Sequence, residues 1–177
     1  MVADWRGEAH LYAEALAASD RVLALRPNFV PALANRALVL LQLGRRGEAV
    51  AAARQTLATS AVELRWAVDA NAIYVLAQTG NLAEAAQSIE RLLPRWPTDS
   101  YVRGFLLMAL GRTEEAWNYL DRMPLAWAAV SYWSPVLDAV RDTPRFQEMI
   151  MKVGVTGEHK VARETLVRML KERAEKK

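Results

Sequence analysis

The sequence predicts an all-α fold built from repeated pairs of helices, and three observations support this prediction. Hydrophobic residues make up 53% of the 177 residues and charged residues 24%, while proline occurs only seven times, which is a composition typical of packed helices. A Glu-Ala pair recurs at intervals close to 34 residues, and a glycine precedes most of its copies at a fixed distance. A unit of this length with a glycine near its middle indicates a helical hairpin that stacks on its neighbours.

Four copies of the Glu-Ala pair define the repeat. They are Glu14-Ala15, Glu48-Ala49, Glu84-Ala85 and Glu115-Ala116, and in the last three a glycine stands four residues before the glutamate (Gly44, Gly80 and Gly111). Successive copies are separated by 34, 36 and 31 residues, which describes one period with a small insertion and a deletion. The first unit lacks most of its first helix, since only about ten residues precede Tyr12.

The second unit shows why each half of the repeat is predicted to be helical. Leu33, Ala37 and Leu40 recur at helical spacing and predict the first helix. Gly44 ends that helix, because a left-handed backbone costs glycine little. A second helix follows, with apolar residues at Ala49, Ala53 and Leu57.

Alanines and prolines set the packing and the ends of the second helices. The alanine of each Glu-Ala pair is small enough to let the two helices of a unit approach closely, and a bulkier residue would separate them. Pro27 and Pro97 each lie 13 residues after the glutamate of their units. They are predicted to end the second helix, because proline cannot continue the hydrogen-bond ladder.

The repeated phrases resemble the tetratricopeptide repeat family. The resemblance lies in GRRGEA (44–49), GNLAEA (80–85), GRTEEA (111–116), NRALVLLQLG (35–44) and the terminal prolines. It covers roughly residues 8 to 123, so residues 1–123 are assigned to the repeats, although the tryptophan-leucine-glycine-tyrosine signature of the family's first helix survives only in part. The resemblance implies an α-solenoid, in which helix-turn-helix repeats stack into a right-handed superhelix.

Residues 124–177 follow a different pattern, which predicts a C-terminal helical cap and a basic terminal helix. Thr143 and Pro144 form a helix start, because a capping hydroxyl precedes proline at the first helical position. The segment 136–154 resembles the closing segment found after tetratricopeptide repeats in many bacterial regulators and signalling proteins. The final stretch, 157–177, combines an apolar stripe with basic residues and interleaved glutamates, which predicts a solvated amphipathic helix.

The sequence offers little support for catalysis, a cofactor or a metal site. Its two histidines, His10 and His159, lie far apart, and the chain contains no cysteine. Phosphate-binding glycine loops, the dinucleotide-binding fingerprint and the Gly-x-Ser-x-Gly elbow are all absent from the sequence. We therefore expect neither an enzyme nor a protein that holds a cofactor or a metal.

Charge and hydropathy bear on the partners and the location of the chain. The 23 basic residues are interspersed with 20 acidic ones, so no half of the sequence is a polycation, and nucleic acid is not an expected partner. No apolar stretch is long enough to span a bilayer, and the N-terminus has no secretory leader, so we expect a cytoplasmic chain with no membrane contact. The truncated first unit suggests a fragment of a longer protein.

The resemblance also implies a binding site, because in the family the first helix of each unit lines the concave face of the superhelix. Asn35 and Asn71 fall at equivalent places, where they are expected to hydrogen-bond the backbone of an extended peptide, while aromatic residues supply apolar pockets. Leu38 and Phe105 equally fit a packing role between helices. The matching groove positions are Asn35, Leu38 and Gln42 in the second unit, Asn71, Tyr74 and Gln78 in the third, and Tyr101, Phe105 and Met108 in the fourth.

The charge of the groove favours one kind of partner. The positions at which the family's carboxylate clamp carries basic side chains are occupied here by Ala34, Leu38 and Ala67. The partner identity and the oligomeric state are left open, and so are two alternatives: a regulatory or sensory tail of a larger signalling protein, such as a transcription regulator or a nucleotide cyclase, and nucleic-acid contact through the basic terminal helix. Our main expectation is a non-catalytic protein-protein interaction module that binds a neutral or apolar polypeptide segment in its concave groove.

Overall fold

The computed structural model describes residues 6–60, 66–95, 97, 98, 100–120, 123, 134–137, 139–152, 161, 164, 165, 168 and 172. Within these residues every regular element is helical and none is a strand, which confirms the predicted all-α class. The α-helices are α1 (Arg6–Leu25), α2 (Val30–Gln42), α3 (Arg46–Ser60), α4 (Trp66–Gln78), α5 (Leu82–Leu92), α6 (Tyr101–Ala109), α7 (Thr113–Leu120) and α8 (Pro144–Met151). Two short 3-10 helices lie at Leu93–Arg95 and Pro135–Leu137.

The three repeat glycines end α2, α4 and α6 in the same way. Gly44, Gly80 and Gly111 have φ angles of +72°, +87° and +86°, in the left-handed region that favours glycine. Each glycine amide donates to the carbonyl three residues earlier, and the next amide donates to the carbonyl five residues earlier, with N···O distances of 2.9–3.1 Å. These paired bonds satisfy carbonyls that the helix end leaves without a partner, and they confirm the predicted glycine stops.

The residue after each of these glycines begins the next helix. The carbonyls of Arg45, Asn81 and Arg112 accept a hydrogen bond from the amide of the repeat alanine at 3.0 Å, which is the first bond of α3, α5 and α7. One short phrase in the sequence therefore encodes both the end of one helix and the start of the next.

The helices pack in a regular order. Each helix that precedes a repeat glycine contacts the helix that follows it, so that α2 packs on α3, α4 on α5 and α6 on α7. The helices α2, α4 and α6 also contact one another in chain order, and α1 and α3 pack against α2 and α4 respectively. A single apolar core runs along these contacts and includes the fully buried Leu40, Ile73, Leu76 and Leu106.

Small residues allow the closest helix approaches. Ala49, Ala85 and Ala116 have no accessible surface, which confirms their predicted packing role, whereas Ala15 in the first unit is only half-buried. Gly104 of α6 lies against α7, where a Cβ atom would stand 2.7 Å from the Ala116 carbonyl oxygen. These two helices can adopt their present separation only because position 104 carries no side chain.

The ends of the second helices agree with the proline pattern. The helix α1 ends at Leu25, two residues before Pro27. The helix α5 ends at Leu92 and passes through the 3-10 helix Leu93–Arg95 before Pro97.

Part of the segment after the repeats is described, and it contains the predicted helix start. The Thr143 Oγ1 accepts a hydrogen bond from the Phe146 amide at 3.4 Å, and Pro144 is the first residue of α8, whose Phe146 and Ile150 are fully buried. The preceding 3-10 helix Pro135–Leu137 contacts both α4 and α6. Residues 124–133 and most of the predicted basic terminal helix lie outside the described residues; residues 161, 164, 165, 168 and 172 of that stretch are helical. None of the described helices combines the length and the apolar character needed to cross a membrane.

Candidate functional site

The predicted groove residues occupy one stripe on each of α2, α4 and α6, but they differ in accessibility. Seven of the nine keep accessible surface: Asn35 and Gln78 are exposed, and Leu38, Gln42, Asn71, Tyr74 and Tyr101 are half-buried. Phe105 and Met108 are only 2% and 4% exposed. Phe105 therefore packs among the helices and has almost no surface to offer a partner, which matches the packing alternative for that residue.

The two asparagines at equivalent repeat positions have different surroundings. The Asn35 Nδ2 donates to the Ser19 Oγ at 2.9 Å, and that hydroxyl donates to the Ala15 carbonyl at 3.0 Å, so Asn35 ties α2 to α1. The Asn35 amide nitrogen therefore already has an acceptor inside the fold, and the expected contact of Asn35 with a peptide backbone stays a prediction.

Asn71 lacks this internal acceptor. The residue at the repeat position of Ser19 is Ala53, which is fully buried and has no hydroxyl group. Within the described part of the chain, no hydrogen bond engages the half-buried Asn71 amide. Of the two asparagines, Asn71 is the one whose donor and acceptor groups remain open to a partner.

Tyr74, Gln78 and Met108 line one cavity of about 440 Å³. Tyr74 and Gln78 come from α4 and Met108 from the end of α6, so the contact between these helices brings together side chains that lie about 30 residues apart in the sequence. Another part of its lining comes from the segment after the repeats, through Pro135, Val136 and Ala139. Every residue that lines this cavity in the described part of the chain is uncharged.

Sequence reasoning did not place the segment after the repeats at this site. The Ser-Pro pair at 134–135 was visible only as a break in helical periodicity. The contact of Pro135–Leu137 with α4 and α6 joins segments far apart in the chain, and neither residue type nor spacing reports such a contact.

Two arginine–glutamate pairs of the repeat phrases are exposed, and none of their four residues is among those that line the cavity beside Tyr74. Arg45 holds Glu48 through two contacts of 2.6 and 2.7 Å, and Arg112 holds Glu115 in the same bidentate manner. These hydrogen bonds to arginine lower the pKa of both carboxyl groups below the ordinary value of 4.5. These exposed pairs lie at the start of α3 and α7.

The third repeat glutamate links two units. Glu84 of α5 accepts three hydrogen bonds from Arg54 of α3, two from Nε at 2.8 and 3.2 Å and one from Nη2 at 2.7 Å, and these bonds lower the pKa of the Glu84 carboxyl. A second cavity, of about 360 Å³, surrounds this pair, with Gln87 and Arg91 at its edge. Charged, polar and apolar side chains of α3 and α5 line it, so it shares no helix with the groove stripe.

The cavity beside Tyr74 therefore has the chemistry of a binding site for an apolar group. Burial raises the pKa of the Tyr101 hydroxyl, on the α6 stripe, above its ordinary value of 10.0, so this phenol stays neutral. In the ranges that the structure describes, no group of three or more His, Cys, Asp or Glu side chains is placed to hold a metal ion. Comparison of the chain with protein-family models, with curated proteins and with solved structures gave no match, so its function is argued from its own residues.

Proposed function

We propose that this chain is a non-catalytic interaction module, an α-solenoid of the tetratricopeptide type that binds a partner polypeptide along the joined faces of α2, α4 and α6. One observation carries the proposal: Tyr74, Gln78 and Met108, taken from two different units, line a single cavity whose described lining residues are all uncharged. Cavities of about 300–1,000 Å³ with a mostly apolar wall and a few polar groups are the usual form of a ligand site.

The packing order supports the solenoid. Successive first helices touch each other, and each has its own second helix, which is how repeats stack when every unit contacts only its neighbours. The three glycine turns share one left-handed backbone conformation, so each first helix is joined to its second helix by the same kind of turn. A surface made of equivalent helices presents equivalent positions side by side, which suits an extended chain.

The stripe on α4 supplies the chemistry for such a chain. The Asn71 amide can donate to a peptide carbonyl and accept from a peptide N–H, and each such bond contributes about 0.5–1.5 kcal/mol net. Tyr74 offers an aromatic face beside the cavity, and a buried tyrosine contact commonly contributes about 2 kcal/mol at an interface. These two residues should carry more of the affinity than the packed Phe105.

Affinity capture from a lysate of the source cell tests the proposal. The bait proteins are the intact chain, the double variant Asn71→Ala/Tyr74→Ala, and the control double variant Gln87→Ala/Arg91→Ala, whose residues are exposed on α5. Mass spectrometry should find a protein that the intact chain and the control retain and that the α4 variant loses. Equal retention by all three baits would contradict the groove assignment, provided that circular dichroism shows all three folded.

A further inference from the structure

The segment after the repeats packs on the same helices that line the proposed groove. The 3-10 helix Pro135–Leu137 contacts α4 and α6, and Val136 and Leu137 are almost completely buried there. A segment that only covered the end of the repeats would contact the last pair of helices, α6 and α7. The 3-10 helix Pro135–Leu137 also contacts α4, which belongs to the preceding unit. The segment therefore forms one wall of the cavity beside Tyr74.

This wall is internally braced. The Arg141 Nη2 donates to the Ser134 carbonyl at 3.0 Å, and the Leu137 amide donates to the same carbonyl at 3.0 Å. The Gln147 Nε2 of α8 donates to the Arg141 carbonyl at 2.7 Å, which fixes the wall to a helix whose own apolar residues are buried. A preorganised wall spends little conformational entropy when a ligand binds against it.

The described lining of the cavity is uncharged, and this favours an apolar occupant. Among the lining residues that the structure describes, the polar side chains are those of Tyr74, Gln78 and Thr113, and none of them carries a charge. A charged side chain would lose its hydration on entry without gaining an ion pair, whereas an apolar side chain would lose contact only with water. Leu82, which is 57% exposed beside the cavity, extends the apolar surface outward.

We infer that this cavity anchors one bulky apolar side chain of an uncharged segment of the partner, and that Pro135 and Ala139, which lie after the repeats, are part of the binding site. The inference rests on the proposed function, since it names the kind of polypeptide that the groove takes. It adds a recognition element outside the repeats, formed by the half-buried Pro135 and the exposed Ala139.

Selection of peptides on the intact chain supplies the probe. Peptides enriched from a phage-displayed random library are synthesised with a fluorescent label, and their binding is followed by anisotropy. Ala139→Trp fills the cavity from an exposed position, and Ala51→Trp places the same side chain on an exposed position of α3 as the control. Ala139→Leu is a milder filling variant for use if circular dichroism shows that Ala139→Trp is not folded.

The expected result is a shared bulky apolar residue among uncharged neighbours in the selected peptides. Filling the cavity should weaken their binding by about tenfold or more, while Ala51→Trp should change it by less than about twofold. If the peptides bind the Ala139 variants as tightly as the wild type, or carry a charged residue in common, and yet lose affinity for Asn71→Ala/Tyr74→Ala, the inference is overturned and the groove stands. If no peptide is enriched, or if all variants bind equally, both the inference and the proposed function fail.

Discussion

Replacing Gly104 by alanine tests the packing of α6 against α7. The added Cβ would lie 2.7 Å from the Ala116 carbonyl oxygen and 3.0 Å from atoms of both Tyr119 and Leu120. Because the closest of these atoms belongs to the backbone of α7, the clash can be relieved only by moving the helix. We therefore expect Gly104→Ala to destabilise the fold, although alanine is the better helix former.

The size of the effect follows from two opposing contributions. Overpacking a tight contact costs about 1–3 kcal/mol, and a glycine-to-alanine change inside a helix contributes about 1 kcal/mol of stability. Since the contact at Gly104 is with backbone, the cost should fall in the upper half of its range, which leaves a net loss of about 1–2 kcal/mol. In urea this corresponds to a midpoint lower by about 0.5–1 M.

Gly47 provides the matched control. It lies in the first turn of α3, has ordinary helical geometry, and a Cβ built on it would meet nothing within 4 Å. Gly47→Ala should therefore raise stability, by about 0.5 kcal/mol. Urea unfolding of the two variants and the wild type, followed by far-UV circular dichroism, measures both effects. A Gly104→Ala protein as stable as the wild type or more stable would refute the close helix approach.

Three further predictions concern single contacts. Asn35→Ala should lower the unfolding free energy by about 1 kcal/mol, because it removes the hydrogen bond to Ser19 of α1. Asn71→Ala should change the unfolding free energy by less than about 0.5 kcal/mol. Chemical denaturation of both variants measures the difference. The hydrogen bonds from Arg54 lower the pKa of Glu84, so this pair stabilises the fold fully above the ordinary carboxyl pKa of 4.5. The stabilisation is lost as the pH falls through the lower pKa that Glu84 has in the folded state. Between about pH 6 and pH 3, the thermal stability of Glu84→Gln should therefore fall less than that of the wild type. Thr143→Ala removes the cap of α8 and should cost about 0.5–1 kcal/mol in the same denaturation assay.

Each of these predictions has an outcome that would contradict it. Equal losses for the two asparagine variants would mean that the Asn35 bond adds no stability. An identical pH profile for Glu84→Gln and the wild type would show that the ion pair with Arg54 is not maintained in solution. An unchanged unfolding free energy for Thr143→Ala would place the start of α8 elsewhere.

The features that the sequence predicts well are those that depend on local backbone chemistry. A glycine followed four residues later by a Glu-Ala pair specifies a left-handed residue, a helix start and a small contact residue, all within one short phrase. Gly44, Gly80 and Gly111 accordingly adopt the expected φ angles, and Ala49 and Ala85 are buried as expected. The repetition strengthens the prediction, because the same glycine and Glu-Ala pattern is expected to form the same turn in each unit.

The site itself was only partly predictable, because its details depend on tertiary contacts. The role of Asn35 is decided by Ser19, a hydroxyl that later units replace with an apolar residue such as Ala53. Phe105 occupies a groove position by pattern, but it is buried in the core between the packed helices. The wall around Pro135 comes from an aperiodic segment, for which no repeat position supplies a reference.

The most direct test of the central claim is to ask which face of the molecule touches a captured partner. The chain has no cysteine, so Gln78→Cys on α4 and Gln87→Cys on α5, both at exposed positions, each carry a single thiol for a photoreactive benzophenone label. After irradiation of each labelled chain with the captured partner, we expect a covalent adduct from position 78 and none, or far less, from position 87. An adduct that forms only from position 87, or equally from both positions, would contradict binding along α2, α4 and α6.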